Sequence, residues 1–352
     1  MRLICHIGTP KTASTLIQNS FAANRPWLAD RGISYPNMLA PDANHITLFF
    51  ANAVILHDFA RDYGLHSQED LRAFRTTLDQ HIKDHINQLD PKIYTVVMSS
   101  ENLTGNMYHP DSIVRLKELL TPHFNDIKIV VYVRRQDDAI LSMYGEFMRR
   151  GFCADHFRDF VDMCLGPHTP TPYLYYRKLL SIWLDVWSKE NLIVRRYAQP
   201  DFIDGDILSD FIGIVQNTWE PDLTGFTPSK DANHGLSAPS LEYLRRMHPQ
   251  IPYIKDGNPN PNRAELAHLI NQMPTHPRPV MGANTARLIM QHFGAANTWL
   301  RDTFFPKLDG PFFPDRPDHP EHGNMGHLTP EEITELTGHL LSKIKAPEHR
   351  AP

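Results

Sequence analysis

The sequence predicts an α/β protein with a P-loop-like parallel β-sheet flanked by helices, and with an α-helical extension toward its C-terminus. Short runs of β-branched and apolar residues alternate with amphipathic segments, as expected for parallel strands joined by helical crossovers. Two of these runs, 93–98 and 127–133, lack the polar alternation of a half-exposed strand, which is typical of strands covered on both faces. Beyond residue 220 the strand signal fades, and helical periodicity remains.

The predicted elements follow one another in a regular order. Strands are predicted at residues 2–7, 93–98, 127–133 and 192–197. Helices are predicted at 12–24, at 67–89, at 110–122, around Leu141, Tyr144 and Met148, around Trp183 and Trp187, at 207–214, at 237–247, at 262–272 and at 284–300. A last helix begins at Thr329, where Thr329 and Glu332 form a capping box with Pro330 at the first helical position.

Composition restricts the kind of protein. The 352 residues, 41% of them hydrophobic, suffice for one large domain or two smaller ones. The formal net charge of -5 gives no overall reason to expect nucleic acid or an anionic membrane as partner. Three cysteines without a CxxC pair argue against a disulfide framework and against a cysteine-built zinc site. No apolar run reaches the roughly 20 residues of a membrane span, and a strand predicted from Arg2 leaves no room for a signal peptide. We therefore expect a cytoplasmic protein.

The junction between the first strand and the first helix is the strongest candidate for a ligand site. It reads Gly8, Thr9, Pro10, Lys11, Thr12, Ala13, Ser14 and Thr15. A helix N-terminus offers unpaired N–H groups and a positive dipole end to a phosphate, and Lys11 adds a charge. Only two residues separate Gly8 from Lys11, so the segment is not a Walker A loop for ATP or GTP. The alternative is that Thr12, Ser14 and Thr15 are hydroxyls of the kind that helix starts favour.

A second anion-binding motif follows the strand at 127–133. Arg134 and Arg135 stand at the carboxyl end of that strand, and Ser142 lies eight residues after Arg134. Ligands of parallel α/β folds bind at this edge of the sheet, and two anion-binding elements there suit a ligand with two phosphate groups. The alternative is that the arginines pair with the two aspartates that follow them in an exposed loop.

Together the two motifs resemble those of the sulfotransferases that use 3′-phosphoadenosine 5′-phosphosulfate (PAPS). The 5′-phosphosulfate loop of that family is similar to residues 8–15, and its 3′-phosphate motif spaces Arg and Ser as Arg134 and Ser142 are spaced. The strand ending at Tyr197 resembles the one whose tyrosine contacts adenine, and residues 233–237 resemble a later part of bacterial members.

Two positions depart from the family pattern. Ala13 stands where glycine is common, and Ala198 and Gln199 stand where an acidic pair often follows the tyrosine. The second departure makes Tyr197 the weaker assignment.

The resemblance implies a sulfotransferase fold over residues 1–305, followed by an extended connector and a C-terminal helix in residues 306–352. It also implies transfer of a sulfuryl group from PAPS to a hydroxyl or amine, with PAP (adenosine 3′,5′-bisphosphate) as product and no metal required. The acceptor would be a carbohydrate, a glycolipid or a small molecule. The donor-binding residues would be Gly8, Pro10, Lys11, Thr12, Ala13, Ser14, Thr15, Arg134, Ser142 and Tyr197. Lys11 would also stabilise the charge of the leaving group.

The general base has two candidates in the sequence. Glu101 follows the strand at 93–98, where related enzymes carry a catalytic base, and His45 is the second candidate because a loop histidine could line the acceptor pocket. Each has a structural alternative: Glu101 could cap the next loop or pair with Lys11 or an arginine, and His45 could be an ordinary loop residue.

Other features leave further possibilities open. Prolines concentrate in residues 249–279, which we interpret as a candidate cover of the acceptor pocket. His81 and His85 are close enough on one helix to share a metal, but no third ligand is evident. The competing functions are a P-loop nucleotide kinase or hydrolase, and a nucleotide-binding regulator without turnover. Nothing in the sequence indicates an oligomeric state.

Overall fold

The structure is a computed structural model, and the chain forms two compact units. It describes residues 1–40, 43–230, 235–256, 258–273, 277–316 and 319–343. Unit 1 comprises Met1–Arg135, Pro172–Asp231 and Ala296–Asp309, and unit 2 comprises Gln136–Thr171, Ala232–Ala295 and Gly310–Pro352. Each unit combines segments from three parts of the chain, and the division at residue 305 stays a prediction.

Unit 1 is built on a five-stranded sheet in which every strand pair is parallel. The strands are β1 (Arg2–His6), β2 (Ile33–Ser34), β3 (Thr95–Ser99), β4 (Asp126–Val133) and β5 (Leu192–Arg196). Their spatial order is β2-β3-β1-β4-β5, so β1 lies at the centre between β3 and β4. The predicted α/β class with a parallel sheet is confirmed.

Helices connect the strands of unit 1 and cover the sheet. They are α1 (Ser14–Ala23), α2 (Arg25–Asp30), α3 (Thr47–Asn52), α4 (Gln68–Asn87), α5 (Asn102–Gly105), α6 (Pro110–Leu120), α9 (Tyr176–Trp187) and α10 (Ile207–Gln216). The helix predicted from residue 12 begins at Ser14. The two-residue β2 and the six-residue α3 were not predicted, because segments so short show no periodicity.

The core of unit 1 explains why the central strands are apolar on both faces. Ile4 of β1 and Val130 of β4 are fully buried, and they belong to one apolar cluster with Phe21 of α1 and Phe211 of α10. Phe21 and Phe211 lie 5.1 Å apart between ring centroids. This packing holds α1 and α10 together against the sheet.

Unit 2 is mainly helical. Its elements are α7 (Gln136–Arg150), α8 (Phe157–Leu165), α11 (Ala238–Met247), the antiparallel pair β6 (Ile254–Lys255) and β7 (Asn258–Pro259), α12 (Pro261–Ile270), α13 (Ala283–His292) and α15 (Pro330–Lys343). One further helix, α14 (Gly294–Phe304), contains residues of both units. The single helix predicted at 284–300 is therefore two, with the break just before Gly294.

The capping box predicted for the last helix is confirmed. The backbone N–H of Glu332 donates to Thr329 Oγ1 over 3.2 Å, and the N–H of Thr329 donates to Glu332 Oε2 over 2.8 Å. No helix within the described ranges has both the length and the apolar character needed to cross a membrane.

Candidate anion-binding and catalytic site

The loop between β1 and α1 contains positive φ angles that could not be predicted from its sequence. Lys11 and Ala13 adopt φ values of 66° and 61°, and Gly8 adopts φ 100°. A Cβ at Gly8 would lie 3.1 Å from Glu101 Cα and 3.0 Å from Thr104 Oγ1, so glycine lets the loop approach α5 closely. Left-handed backbone at non-glycine residues is uncommon and costs energy. Such residues are often found at ligand sites.

The loop is held to β4 by hydrogen bonds. The backbone N–H and the hydroxyl of Thr9 both donate to the carbonyl of Tyr132 over 3.0 Å. The hydroxyl of Thr12 donates to the carbonyl of Thr9 over 2.6 Å. Thr9 and Thr12 are buried, so two of the loop hydroxyls shape the loop itself.

The start of α1 has donor capacity that the described residues do not use. Ala13, the residue before the helix, provides no side-chain cap to the first N–H groups. The hydroxyl oxygen of Ser14 is buried and has no hydrogen-bond partner among the described residues. Buried polar atoms are nearly always paired, so this end of the helix is suited to receive an anion. Thr15 is exposed.

Arg134 connects the second motif to the first. Its Nη1 donates to the carbonyl of Lys11 over 2.8 Å, and its guanidinium carbon lies 5.4 Å from the ring centroid of Tyr197. The hydroxyl of Tyr176 accepts from the N–H of Arg134 over 3.0 Å and donates to its carbonyl over 2.6 Å. Three predicted site residues thus lie together at the ends of β1, β4 and β5, and Tyr176, which the sequence did not reveal, anchors the arginine backbone.

Glu101 lies at the carboxyl end of β3, beside the loop. Its Oε2 accepts from Gln18 Nε2 over 2.8 Å, and Asn44 Nδ2 lies 3.2 Å from both carboxylate oxygens. The hydrogen-bonding partners of this carboxylate in the described part of the chain are amides rather than cations. Sequence reasoning missed Gln18 and Asn44, because their separations from Glu101 are 83 and 57 residues.

His45 is engaged by backbone groups rather than open to a pocket. Its Nε2 is 2.9 Å from the carbonyl of Pro36, and its Nδ1 accepts the N–H of Ser99 over 2.9 Å. These partners fix a neutral ring with the proton on Nε2. Burial lowers the pKa of His45 to about 4. Both ring nitrogens of His45 are therefore paired with backbone groups, and its role as the base stays a prediction.

The remaining predictions concern residues of unit 2 and residues outside the described ranges. Ser142 lies on α7 in unit 2, and its role stays a prediction. The predicted cover at 249–279 contains β6, β7 and α12 in unit 2, with residues 257 and 274–276 outside the described ranges. Residues 233 and 234 of the later family-like segment also lie outside the described residues, as do residues 344–352.

The two histidines considered for metal binding have other partners. His81 Nε2 lies 2.7 Å from the carbonyl of Asn37, and His85 Nε2 lies 3.0 Å from Ser34 Oγ. Within the described ranges, no group of three or more His, Cys, Asp or Glu side chains could hold a metal ion.

Comparisons with known proteins give a distant structural likeness. No protein-family model matches the chain, and no curated protein matches it. Among solved structures, the chain is similar to the crystal structure of a sulfotransferase from Alicyclobacillus acidocaldarius, with 16% sequence identity and a TM-score of 0.39. The alignment covers 75% of this chain and 95% of that one. A likeness at this distance carries no functional conclusion, so the function below is inferred from the site.

Proposed function

We propose that this protein is a sulfotransferase that moves a sulfuryl group from PAPS to a hydroxyl or amine of an acceptor. The observation that carries the proposal is the hydrogen bond from Arg134 to the carbonyl of Lys11. It joins two anion-binding motifs, from adjacent strands β1 and β4, at one edge of the sheet. A donor with a phosphosulfate at one end and a 3′-phosphate at the other needs two such motifs side by side.

The start of α1 fits the 5′-phosphosulfate of the donor. The N–H groups at the helix N-terminus are donors that an anionic oxygen could satisfy, as is the Ser14 hydroxyl, which has no partner among the described residues. Gly8, Pro10, Thr12 and Ala13 would then shape the loop, as Thr12 does through its bond to Thr9. The exposed Thr15 would add a hydroxyl on the solvent side.

Arg134 would hold the 3′-phosphate and Tyr197 would contact the adenine, while the role of Ser142 stays a prediction. The guanidinium of Arg134 provides several N–H donors in a planar arrangement that suits phosphate oxygens. The aromatic ring of Tyr197 lies against that guanidinium, which supports its place beside a nucleotide. A phosphate held at this position would distinguish PAPS from ATP.

The chemistry would be an in-line displacement at sulfur. PAPS supplies the sulfuryl group: a bond forms from the acceptor oxygen to sulfur, and the bond from sulfur to the phosphate oxygen breaks. The leaving PAP keeps the electron pair of the broken bond, and the acceptor proton passes to the Glu101 carboxylate. Lys11 would stabilise the charge that builds on the leaving oxygen. No divalent metal is required by this scheme.

The acceptor is proposed only as a class. A carbohydrate, a glycolipid or a small hydroxyl compound would each present the hydroxyl that Glu101 could deprotonate. The proline-rich segment 249–279 belongs to unit 2, and its role as a cover that sets acceptor specificity stays a prediction.

A ligand titration followed by thermal unfolding tests the proposal. PAP should raise the unfolding temperature, since a ligand at 100 times its Kd stabilises the native state by about 2.7 kcal/mol. ATP with Mg²⁺, and NAD, should give much smaller shifts at equal concentration. Stabilisation by ATP with Mg²⁺ but not by millimolar PAP would contradict the proposal and favour a nucleotide kinase or hydrolase. PAP binding without transfer of sulfuryl groups would instead indicate a nucleotide-binding regulator.

A further inference from the structure

Glu101 is held by two side-chain amides in an uneven way. Its Oε2 receives Gln18 Nε2 at 2.8 Å and Asn44 Nδ2 at 3.2 Å, whereas Oε1 receives only Asn44 Nδ2, at 3.2 Å, among the described residues. Oε1 is therefore the oxygen with more of its hydrogen-bonding capacity left. An ionised carboxylate offers about four lone-pair sites, so these bonds orient the group without saturating it.

We propose that Gln18 and Asn44 are positioning residues for the general base, and that they present Glu101 Oε1 as the atom that takes the acceptor proton. This inference rests on the proposed function. A general base contributes only when it is held within hydrogen-bond reach of the proton that it removes. Neutral amides can hold a carboxylate in place without a positive charge beside it. The charge of an arginine or lysine would favour the ionised form of the carboxylate more strongly.

A second hydrogen bond, to Ser99, fixes the orientation of the Gln18 side chain. Gln18 is buried, and the same Nε2 lies 3.2 Å from Ser99 Oγ, which lies 2.8 Å from His6 Nδ1. Ser99 Oγ thus bonds both the Gln18 amide and the His6 ring. Burial lowers the pKa of His6 to about 3, so the ring stays neutral. A chain of neutral groups thus runs from the central strand to the carboxylate.

In the transfer step, the acceptor O–H bond breaks and its proton bonds to Glu101 Oε1. The acceptor oxygen bonds to sulfur as the bond from sulfur to the phosphate oxygen breaks, with PAP as the leaving group. The amides neither gain nor lose a proton. Their removal should therefore slow the step while the donor still binds.

The test measures release of labelled sulfate from [³⁵S]PAPS, with water as the smallest hydroxyl acceptor, together with thermal stabilisation by PAP. Gln18→Ala and Asn44→Ala should each lower kcat about 10- to 100-fold, equivalent to about 1.4 to 2.7 kcal/mol. The KM for PAPS and the stabilisation by PAP should stay within about twofold of wild type, because a base-positioning residue acts on the chemical step. Asn19→Ala, an exposed neighbour on α1, is the matched control and should leave kcat unchanged.

Two further variants separate positioning from structural support. Asn44→Asp keeps the side-chain shape but replaces the donor with an acceptor, so it should lose at least as much kcat as Asn44→Ala. In a Glu101→Gln background, adding Asn44→Ala should cause no further loss, because the residue acts through the carboxylate. Asn44 is only half-buried, so this variant remains informative even if Gln18→Ala does not fold.

Each outcome has a distinct meaning. Unchanged kcat in both amide variants of an active enzyme would overturn the positioning role alone. So would a loss of kcat from Asn44→Ala in the Glu101→Gln background that equals the loss it causes in wild type. A wild-type protein that neither binds PAP nor releases sulfate would overturn the proposed function. A wild type that binds PAP but releases no sulfate would contradict catalysis, and the positioning role with it.

Discussion

Two polar clusters of unit 1 differ in how completely their groups are paired. At one, Asp210 is fully buried, and its carboxylate accepts from the Tyr132 hydroxyl over 2.7 Å and from Arg195 Nε over 3.1 Å. Arg195 also donates through Nη2 to the second oxygen. At the other, the loop end of the sheet, Ser14 has a buried hydroxyl without a partner in the described part of the chain.

Tyr132 connects the two clusters and makes the contrast direct. Its hydroxyl donates to Asp210, while its carbonyl accepts from Thr9 of the loop between β1 and α1. Burial and the neighbouring carboxylate raise the pKa of Tyr132, so the hydroxyl keeps its proton. A cluster whose donors and acceptors match has a structural role, whereas one with unmatched buried donors is suited to a ligand.

Replacing Asp210 should give the largest change in stability. Asp210→Ala removes the partner of both Arg195 and Tyr132, and breaking a buried ion pair on one side typically costs about 3 to 5 kcal/mol. Urea denaturation measures the free energy of unfolding. Asp206→Ala, at the start of the same helix, is the matched control and should cost about 1 kcal/mol through loss of its cap to Leu208 and Ser209.

The same variant sharpens the contrast between the clusters. The folded Asp210→Ala protein should bind PAP as wild type does, since Asp210 has no role in the proposed donor site. A free energy of unfolding equal to that of wild type would show that the paired cluster does not support the fold as described.

A change of pH should have a smaller effect on the free energy of unfolding. It acts through His45, whose two ring nitrogens are both paired. Its folded pKa of about 4 lies below the ordinary value of 6.5, so the unfolded chain binds the proton first. Stability from this group is complete above pH 6.5 and is lost as the pH falls toward 4. Between pH 6.5 and 5.5 that loss should be about 1 kcal/mol.

Urea denaturation of His45→Gln at the two pH values measures this contribution. The pH-dependent loss should be about 1 kcal/mol smaller in the variant than in wild type, because glutamine does not titrate. An identical loss in both proteins would mean that His45 does not hold the neutral, backbone-bonded state.

The sequence predicted the sheet well because its strands are nearly continuous apolar runs. The sequence also assigned residues 8–15 and Arg134 to one ligand site. In the structure, a hydrogen bond from Arg134 to the carbonyl of Lys11 brings these two motifs together. The sequence did not predict the helix start at Ser14, since positive φ at Lys11 and Ala13 is not visible in residue preferences.

The base candidates show where local sequence reasoning ends. Glu101 and His45 are both polar residues close to strand ends or loops, and nothing local distinguishes them. Their difference comes from distant partners: His45 bonds Pro36 and Ser99 through both ring nitrogens, whereas Glu101 keeps an oxygen with spare capacity. Such partners are set by the tertiary fold.

Recognition of two phosphate groups by the loop and Arg134 is the central claim. Calorimetric titration of wild type and Arg134→Ala should compare PAP with adenosine 5′-phosphosulfate, which lacks the 3′-phosphate. A charge-assisted hydrogen bond contributes about 1.5 to 3 kcal/mol, so the variant should bind PAP about 10- to 100-fold more weakly. Its affinity for adenosine 5′-phosphosulfate should change much less, and Arg177→Ala, an exposed arginine on α9, should change neither. Equal losses for both ligands, or no loss for PAP, would contradict the assignment of Arg134 to the second phosphate.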